Sequence, residues 1–446
     1  MNEIYENSFL TIAASLSSSD SEGFIRPRTK HVSKDVVVEN SSFPGGSARF
    51  RVRLALGKHQ RHDVGSHIRD SYRANLAGPA GQVEALEYRA WAFQERLISH
   101  RVLSYCSKEF EWDCLECCDC ECGDRFRIFR VDGWNSINPS SRQVYQSLID
   151  PSQEIAPEDA DLRLRCAKHI YEQWRVNLVP SYTQLKLTKE EDRLPALSAV
   201  VKGLEDVLKD TYLGGLWRSD LELGLTWVSG KFAANPTNPG CLTAKYRAPS
   251  WSWASIEGPV DVCYDRRDRD EFEPIFQILD AGTTLAGVNP RGNVGDGFVK
   301  VSGHLVAGSL SVPEVLQGTD EHDVKYSIQI DGGAAPFRPD TPLVQHQSTV
   351  QRSKLQHGDA RGSISCPVQC LAVLMARIRY NTGFRDRADK LTTDFAADRW
   401  VTFLALGQSS TKVGAYERLG IVKSMPTKSL SEGWYEKWPK VEVTIV

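Results

Sequence analysis

No uninterrupted apolar run in these 446 residues approaches the roughly 20 that a membrane-crossing helix requires. The opening Met1-Asn2-Glu3-Ile4-Tyr5-Glu6 lacks the basic and apolar regions of a secretory leader. An excess of charge is missing too. With 54 basic residues against 57 acidic ones and a formal net charge of -3, the composition carries no general attraction for nucleic acid or an anionic membrane. These absences point to the cytoplasm or nucleus, and the expected location is cytoplasmic. An even-numbered disulfide framework is also absent: the eleven cysteines are scattered apart from one cluster, in a chain too large to need covalent staples, so thiols are the expected state. What remains, 41% hydrophobic and 25% charged residues, is ordinary globular composition, with length for two or three domains.

The pattern divides the chain into four parts. Residues 1–130 read as an α/β domain: Ile4 to Ala14 runs from a helix end into a short apolar strand, Ser15 to Ser21 is a polar loop closing on Gly23, and Val36-Val37-Val38 and Phe50 to Leu54 are strand-like. His59, His62 and His67 lie on polar sequence with no Cys or Glu at ligand spacing, so they read as solvated loop. The strand near the start has no partner before it and must pair with something later, or with an upstream part of its domain. Residues 131–158 carry the breakers Asn138-Pro139 and Asp150-Pro151 and read as a linker.

Residues 159–258 are mainly helical with an aromatic core. One amphipathic helix runs from Pro157 to Trp174 and another from Asp192 to Leu208, with Thr188 as cap and Glu191 three residues on. Trp251 and Trp253, at period two, suit an extended segment that pins two layers together. Residues 259–446 read as antiparallel β structure, with long exposed loops near 334–364 and 382–397.

The densest stretch is Tyr88 to Trp112. Trp91, Leu97 and Ile98 fall roughly on one helical stripe with Gln94 and Glu95 beside it. Val102, Leu103, Tyr105 and then Phe110, Trp112 read as two short strands joined by Ser107-Lys108-Glu109. Cys114, Cys117, Cys118, Cys120 and Cys122 follow, five thiols in nine residues. Cys114 and Cys117 have the two-residue gap of a zinc knuckle, and Cys120 and Cys122 are weaker ligand candidates. No second paired motif completes a tetrahedral set, so no metal is expected and a reduced or redox-labile cluster is the preferred reading.

Three blocks stand in order: Ile4-Tyr5-Glu6-Asn7-Ser8 with Thr11-Ile12-Ala13-Ala14; Arg89-Ala90-Trp91-Ala92-Phe93-Gln94-Glu95-Arg96-Leu97; and Asp192-Arg193-Leu194-Pro195-Ala196-Leu197-Ser198. Together they resemble the fungal heterokaryon-incompatibility (HET) domain proteins. Tyr212 to Trp217, Arg247 to Ser255 and Tyr416 to Gly420 look like downstream blocks of large members of that family. The resemblance implies a role in non-self recognition that ends in growth arrest or programmed cell death when incompatible cells fuse. It would act through other proteins, a second copy of the chain or an incompatibility partner, with no nucleic acid and no membrane.

The resemblance also implies kinship with Toll/interleukin-1 receptor (TIR) domains, open α/β sheets of which some cleave NAD. The fold expectation is therefore a partial TIR-like open sheet followed by a helical segment and a β-rich C-terminal region. In that relative a Trp precedes the catalytic Glu by four positions on a helix, and Trp91 and Glu95 keep this spacing. The alternative function is thus an NAD(P)-cleaving hydrolase with Glu95 as catalytic carboxylate and Arg89, Trp91 and Gln94 around it. NAD would be a substrate, and no resident cofactor is expected. Against this stands the plainer reading, that Gln94 and Glu95 tie the helix to nearby backbone or pair with Arg89 or Arg96. The family's opening aromatic-Trp-Gly strand and its Cys-Ile-Asp-Gln-like segment are not found here. The expectation is an N-terminally truncated domain whose nucleotide pocket lacks a wall.

Overall fold

In the computed structural model of the chain the first helix, α1 (Asn2–Glu6), stops where short polar side chains take over its carbonyls. The Asn7 amide donates to Glu3 O at 2.8 Å and the Ser8 hydroxyl to Tyr5 O at 2.8 Å, a local competition with helical bonding that ends the turn. The structure describes residues 2–25, 33–39, 42, 45–53, 85–106, 110–115, 117–120, 126–127, 141–149, 160–230, 240–263, 271–312, 326–341, 364–381, 395–423 and 434–446. These fall into two compact units, Met1–Ala156 with Gln184–Thr188, and Pro157–Thr183 with Lys189–Val446. The histidines at 59, 62 and 67 lie outside the described residues.

In the first unit β1 (Thr11–Ala13) finds its partner later in the chain. Strands β2 (Ser33–Glu39) and β3 (Ser47–Arg53) form a separate antiparallel pair. Helix α2 (Ala90–Ile98) then leads into β4 (Arg101–Tyr105), which lies parallel to β1 with Thr11 opposite Val102 and Ala13 opposite Ser104. Strands β5 (Phe110–Cys114), β6 (Cys117–Cys120) and β7 (Phe126–Arg127) add antiparallel neighbours, giving the order β1-β4-β5-β6-β7. Helix α2 buries Ala90, Phe93, Gln94, Leu97 and Ile98, a three-and-four spacing that defines one face. Trp91, one heptad before Ile98, is half-buried at the edge of that face, in line with the stripe of Trp91, Leu97 and Ile98. One correction concerns the stretch read as linker: residues Ser141–Leu148 form helix α3, because Val144, Tyr145 and Leu148 share a side that is buried.

The second unit opens with α4 (Ala160–Gln173), which continues through one π-helical turn, Trp174–Leu178, into α5 (Val179–Tyr182). The cap expected at Thr188 does not form. Residues Glu190–Asp192 and Pro195–Leu197 make only short 3-10 turns, the first starting after extended Lys189 without a side-chain cap, and α6 (Ser198–Leu208) begins beyond Pro195. Proline lacks the N–H that a continuous helix would need there. Strands β8 (Tyr212–Leu213) and β9 (Leu216–Trp217) are joined by Gly214 and Gly215, whose φ values of 51° and 116° suit a tight two-residue turn. After α7 (Leu221–Gly224) come β10 (Trp227–Ser229), β11 (Cys241–Leu242), β12 (Ile256–Glu257) and β13 (Val260–Val262), paired β10 with β13 and β11 with β12.

Strands β14 (Glu271–Pro274), β15 (Gln277–Leu285), β16 (Val294–Val312), β17 (Tyr326–Ile330), β18 (Gly333–Pro339), β19 (Ile364–Asn381), β20 (Phe395–Gln408), β21 (Tyr416–Lys423) and β22 (Lys440–Ile445) make the C-terminal sheet. The region is β-rich, and part of the loop expected at 334–364 is strand β18. Successive pairings β16-β17, β17-β18, β18-β21, β21-β20, β20-β19 and β19-β16 return to their starting strand, so the ladder closes on itself as a barrel. Alternate residues of these strands fill one core: Ile328 and Ile330, Ala335 and Phe337, Cys366 to Ala372, Val401 to Ala405, and Trp438 against them. Packed side chains occupy that interior.

Candidate functional site

The candidate carboxylate Glu95 sits on α2, and the chain brings it to the first sequence block. The Tyr5 phenol of α1 comes beside the Glu95 carboxylate and interacts with it. Beside this contact runs a line of hydroxyls: Ser99 Oγ donates to Glu95 O at 2.7 Å, lies 2.9 Å from Thr11 Oγ1, and Thr11 Oγ1 lies 3.0 Å from Ser8 Oγ. Ser8 in turn donates to Tyr5 O. Thr11 has one hydrogen to give to the two serines, whose own hydrogens are already placed on carbonyls. Strand pairing of β1 with β4 fixes the same neighbourhood from the other side.

Burial pushes the Glu95 carboxyl above its ordinary value; the Tyr5 phenol and the Arg89 charge pull it back only in part. Burial and the Glu95 charge likewise raise the Tyr5 phenol. Arg89 is exposed at the start of α2, with φ -92° and ψ 123°, and its backbone pairs with Lys186: Ala90 N donates to Lys186 O at 3.0 Å and Lys186 N to Tyr88 O at 2.7 Å. Arg96 serves other acids, Glu87 at 3.9 Å and Asp113 at 4.0 Å. Of the four residues singled out in the sequence, Arg89 and Glu95 therefore interact through charge, Gln94 is buried on the packed face, and Trp91 is half-buried on α2. A half-buried carboxyl that keeps its proton to higher pH, next to a phenol, can exchange hydrogen bonds or a proton with a hydroxylated ligand.

The sequence reading missed two groups. Tyr5 lies inside the first block and could have been read as its chemically active member. Arg142 had no signal, being in a stretch read as loop. Its guanidinium is buried and closes the C-terminal end of α2: Nε donates to Arg96 O at 3.1 Å, and Nη2 to Ser99 O at 2.7 Å and His100 O at 3.0 Å. Nη1 meets Asp113 Oδ1 at 2.7 Å, so the cation that satisfies the helix carbonyls is itself neutralised.

Cys114 and Cys117 are 3.7 Å apart at sulfur, and no group of three or more ligating side chains gathers among the described residues. Cys120 lies on β6, and Cys122 lies outside the described residues.

In the second unit the later blocks converge on Glu257, which bonds the guanidinium of Arg193 and that of Arg247. Arg247 also donates to Ala254 O at 2.6 Å and Ile256 O at 2.7 Å, and Tyr182 to Arg193 O at 2.5 Å. These bonds tie the segments at Tyr182, Arg193, Arg247 and Glu257 together. No protein-family model, no curated protein and no solved structure matches the chain. Among the described residues no helix is long and apolar enough to cross a membrane.

Proposed function

We propose that the protein is a HET-domain effector or regulator of fungal non-self recognition, acting in growth arrest and programmed cell death through contacts with other proteins. The reading is supported by the first sequence block meeting the second, and the segment just after it, at one place: Tyr5 against Glu95, Thr11 against Ser99, and β1 against β4. The kinship with an open TIR-like α/β sheet draws support from the parallel β1–β4 pair with α2 preceding β4. Expression of the full chain in yeast tests the function. The expected result is growth arrest with cellular NAD unchanged; normal growth in cells that accumulate soluble, folded protein would sink the reading.

A second reading, an NAD(P)-cleaving hydrolase, is favoured by the half-buried Glu95 carboxyl, which interacts with the Tyr5 phenol and feels the Arg89 charge. Its ionised form would hydrogen-bond the ribose diol and stabilise an oxocarbenium-like state. The glycosidic bond breaks with its electron pair going to nicotinamide, and water adds to the sugar carbon. In the same cells, NAD depletion by the wild type that is absent with Glu95→Ala, and absent also with the near-isosteric Glu95→Gln, would establish the enzyme instead.

A further inference from the structure

The β5–β6 hairpin ends on two cysteines. Its register sets Glu111 opposite Cys120, Trp112 opposite Asp119 and Asp113 opposite Cys118. One more step in the same register sets Cys114 opposite Cys117. Opposed residues of antiparallel strands have Cα atoms about 4.5–5.5 Å apart, within the roughly 4.4–6.8 Å that a disulfide spans. The sulfurs, as thiols, are already 3.7 Å apart and both residues are partly exposed. Bond formation requires them to close by about 1.7 Å, within reach of side-chain rotation and without a change of strand register.

Among the five clustered cysteines the geometry points to Cys114 and Cys117 as a thiol–disulfide exchange site, a two-electron redox pair that reacts with small-molecule disulfides. One cysteine thiolate attacks a sulfur of the reagent RS–SR, forming a mixed disulfide and expelling RS⁻. The second cysteine gives up its proton and attacks the protein sulfur of that mixed disulfide, forming the Cys114–Cys117 bond and expelling the second RS⁻. The protein loses two electrons and two protons; the reagent gains the electrons, and its two thiolates take the protons. Modification here adjoins the α2 clamp, because Cys114 O accepts from Arg142 Nη1 at 3.4 Å and Asp113 is the ion-pair partner of Arg142.

The test is to equilibrate the full chain with oxidised and reduced glutathione, alkylate the remaining thiols, and map disulfides by mass spectrometry. We expect the wild type and the variant carrying Cys118→Ser, Cys120→Ser and Cys122→Ser each to lose two alkylatable thiols and to yield the 114–117 cross-link. Cys117→Ser should yield none at Cys114. A cross-link that maps to Cys118, Cys120 or Cys122, or thiols that persist at 114 and 117 in excess oxidised glutathione, would overturn the proposal. Should the triple variant fail to fold by circular dichroism, fragmentation mapping of the wild-type peptide gives the same decision.

Discussion

Glu95 and Arg142 show how single residues of the first unit carry charge out of water under different terms. The folded protein holds the Glu95 proton more tightly than the unfolded chain does, since burial raises the carboxyl from its ordinary 4.5. Its contribution to stability is therefore fully present below about pH 4.5 and is lost as pH rises through the folded value. Glu95→Gln removes this dependence. We expect the wild type to lose stability relative to Glu95→Gln between acid and neutral pH in urea denaturation, and parallel curves would show that burial does not govern the group. Arg142 is compensated by Asp113 and by three carbonyls at the end of α2. Arg142→Met removes the closest cation from buried Asp113 and the donor from these carbonyls, and should cost about 3–5 kcal/mol, read as a lower urea midpoint and early hydrogen exchange of α2.

At the scale of elements, the Gly214-Gly215 turn and the Trp251–Trp253 segment form one joint. Gly215 O accepts from the indole of Trp174 at 3.0 Å and from that of Trp253 at 2.8 Å. A Cβ on Gly215 would lie 2.9 Å from Trp253 Nε1 and would sit at φ 116°. Gly215→Ala should therefore destabilise by about 1–3 kcal/mol, and Trp253→Phe by about 1 kcal/mol from the lost hydrogen bond. The double variant should cost less than the sum, because both act on the same contact; strictly additive thermal shifts would refute the shared joint. Two tryptophans at period two suit an extended segment, yet only Ser252 is extended between them and Trp253–Ser255 is a 3-10 turn capped by Ser252, whose Oγ accepts from Ala254 N. A two-residue alternation spans too little chain to separate strand from turn.

Across the second unit, the same segment ties the glycine turn to the chain end and the barrel. Ser252 Oγ bonds Gly214 O, Ser250 N donates to Val446 O at 3.2 Å, and Arg418 N donates to Ser250 Oγ at 2.9 Å. Arg418 extends the link: Nε meets Asp340 Oδ2 at 2.8 Å, Nη1 donates to Leu225 O at 2.5 Å, and the guanidinium stacks 3.6 Å over Trp227. Arg418→Met should therefore cost about 3–5 kcal/mol. Amide exchange should show β10 and β21 losing protection together, whereas loss confined to β21 would argue that the link is not cooperative.

Local spacing alone determined much of this protein. The three-and-four face of α2, the short strands β4 and β5, and the apolar runs of the C-terminal region follow from side-chain periodicity, which acts over a few residues and leaves its mark in order along the chain. Tertiary structure decided what periodicity cannot carry. The parallel pairing of β1 with β4, the closure of β16 through β21 into a barrel, and the capture of α2's carbonyls by Arg142 depend on residues tens of positions apart. Tyr5 and Glu95 were visible as separate blocks. Their contact, and the burial that raises the carboxyl, exist only where the folded chain places a phenol and withdraws water.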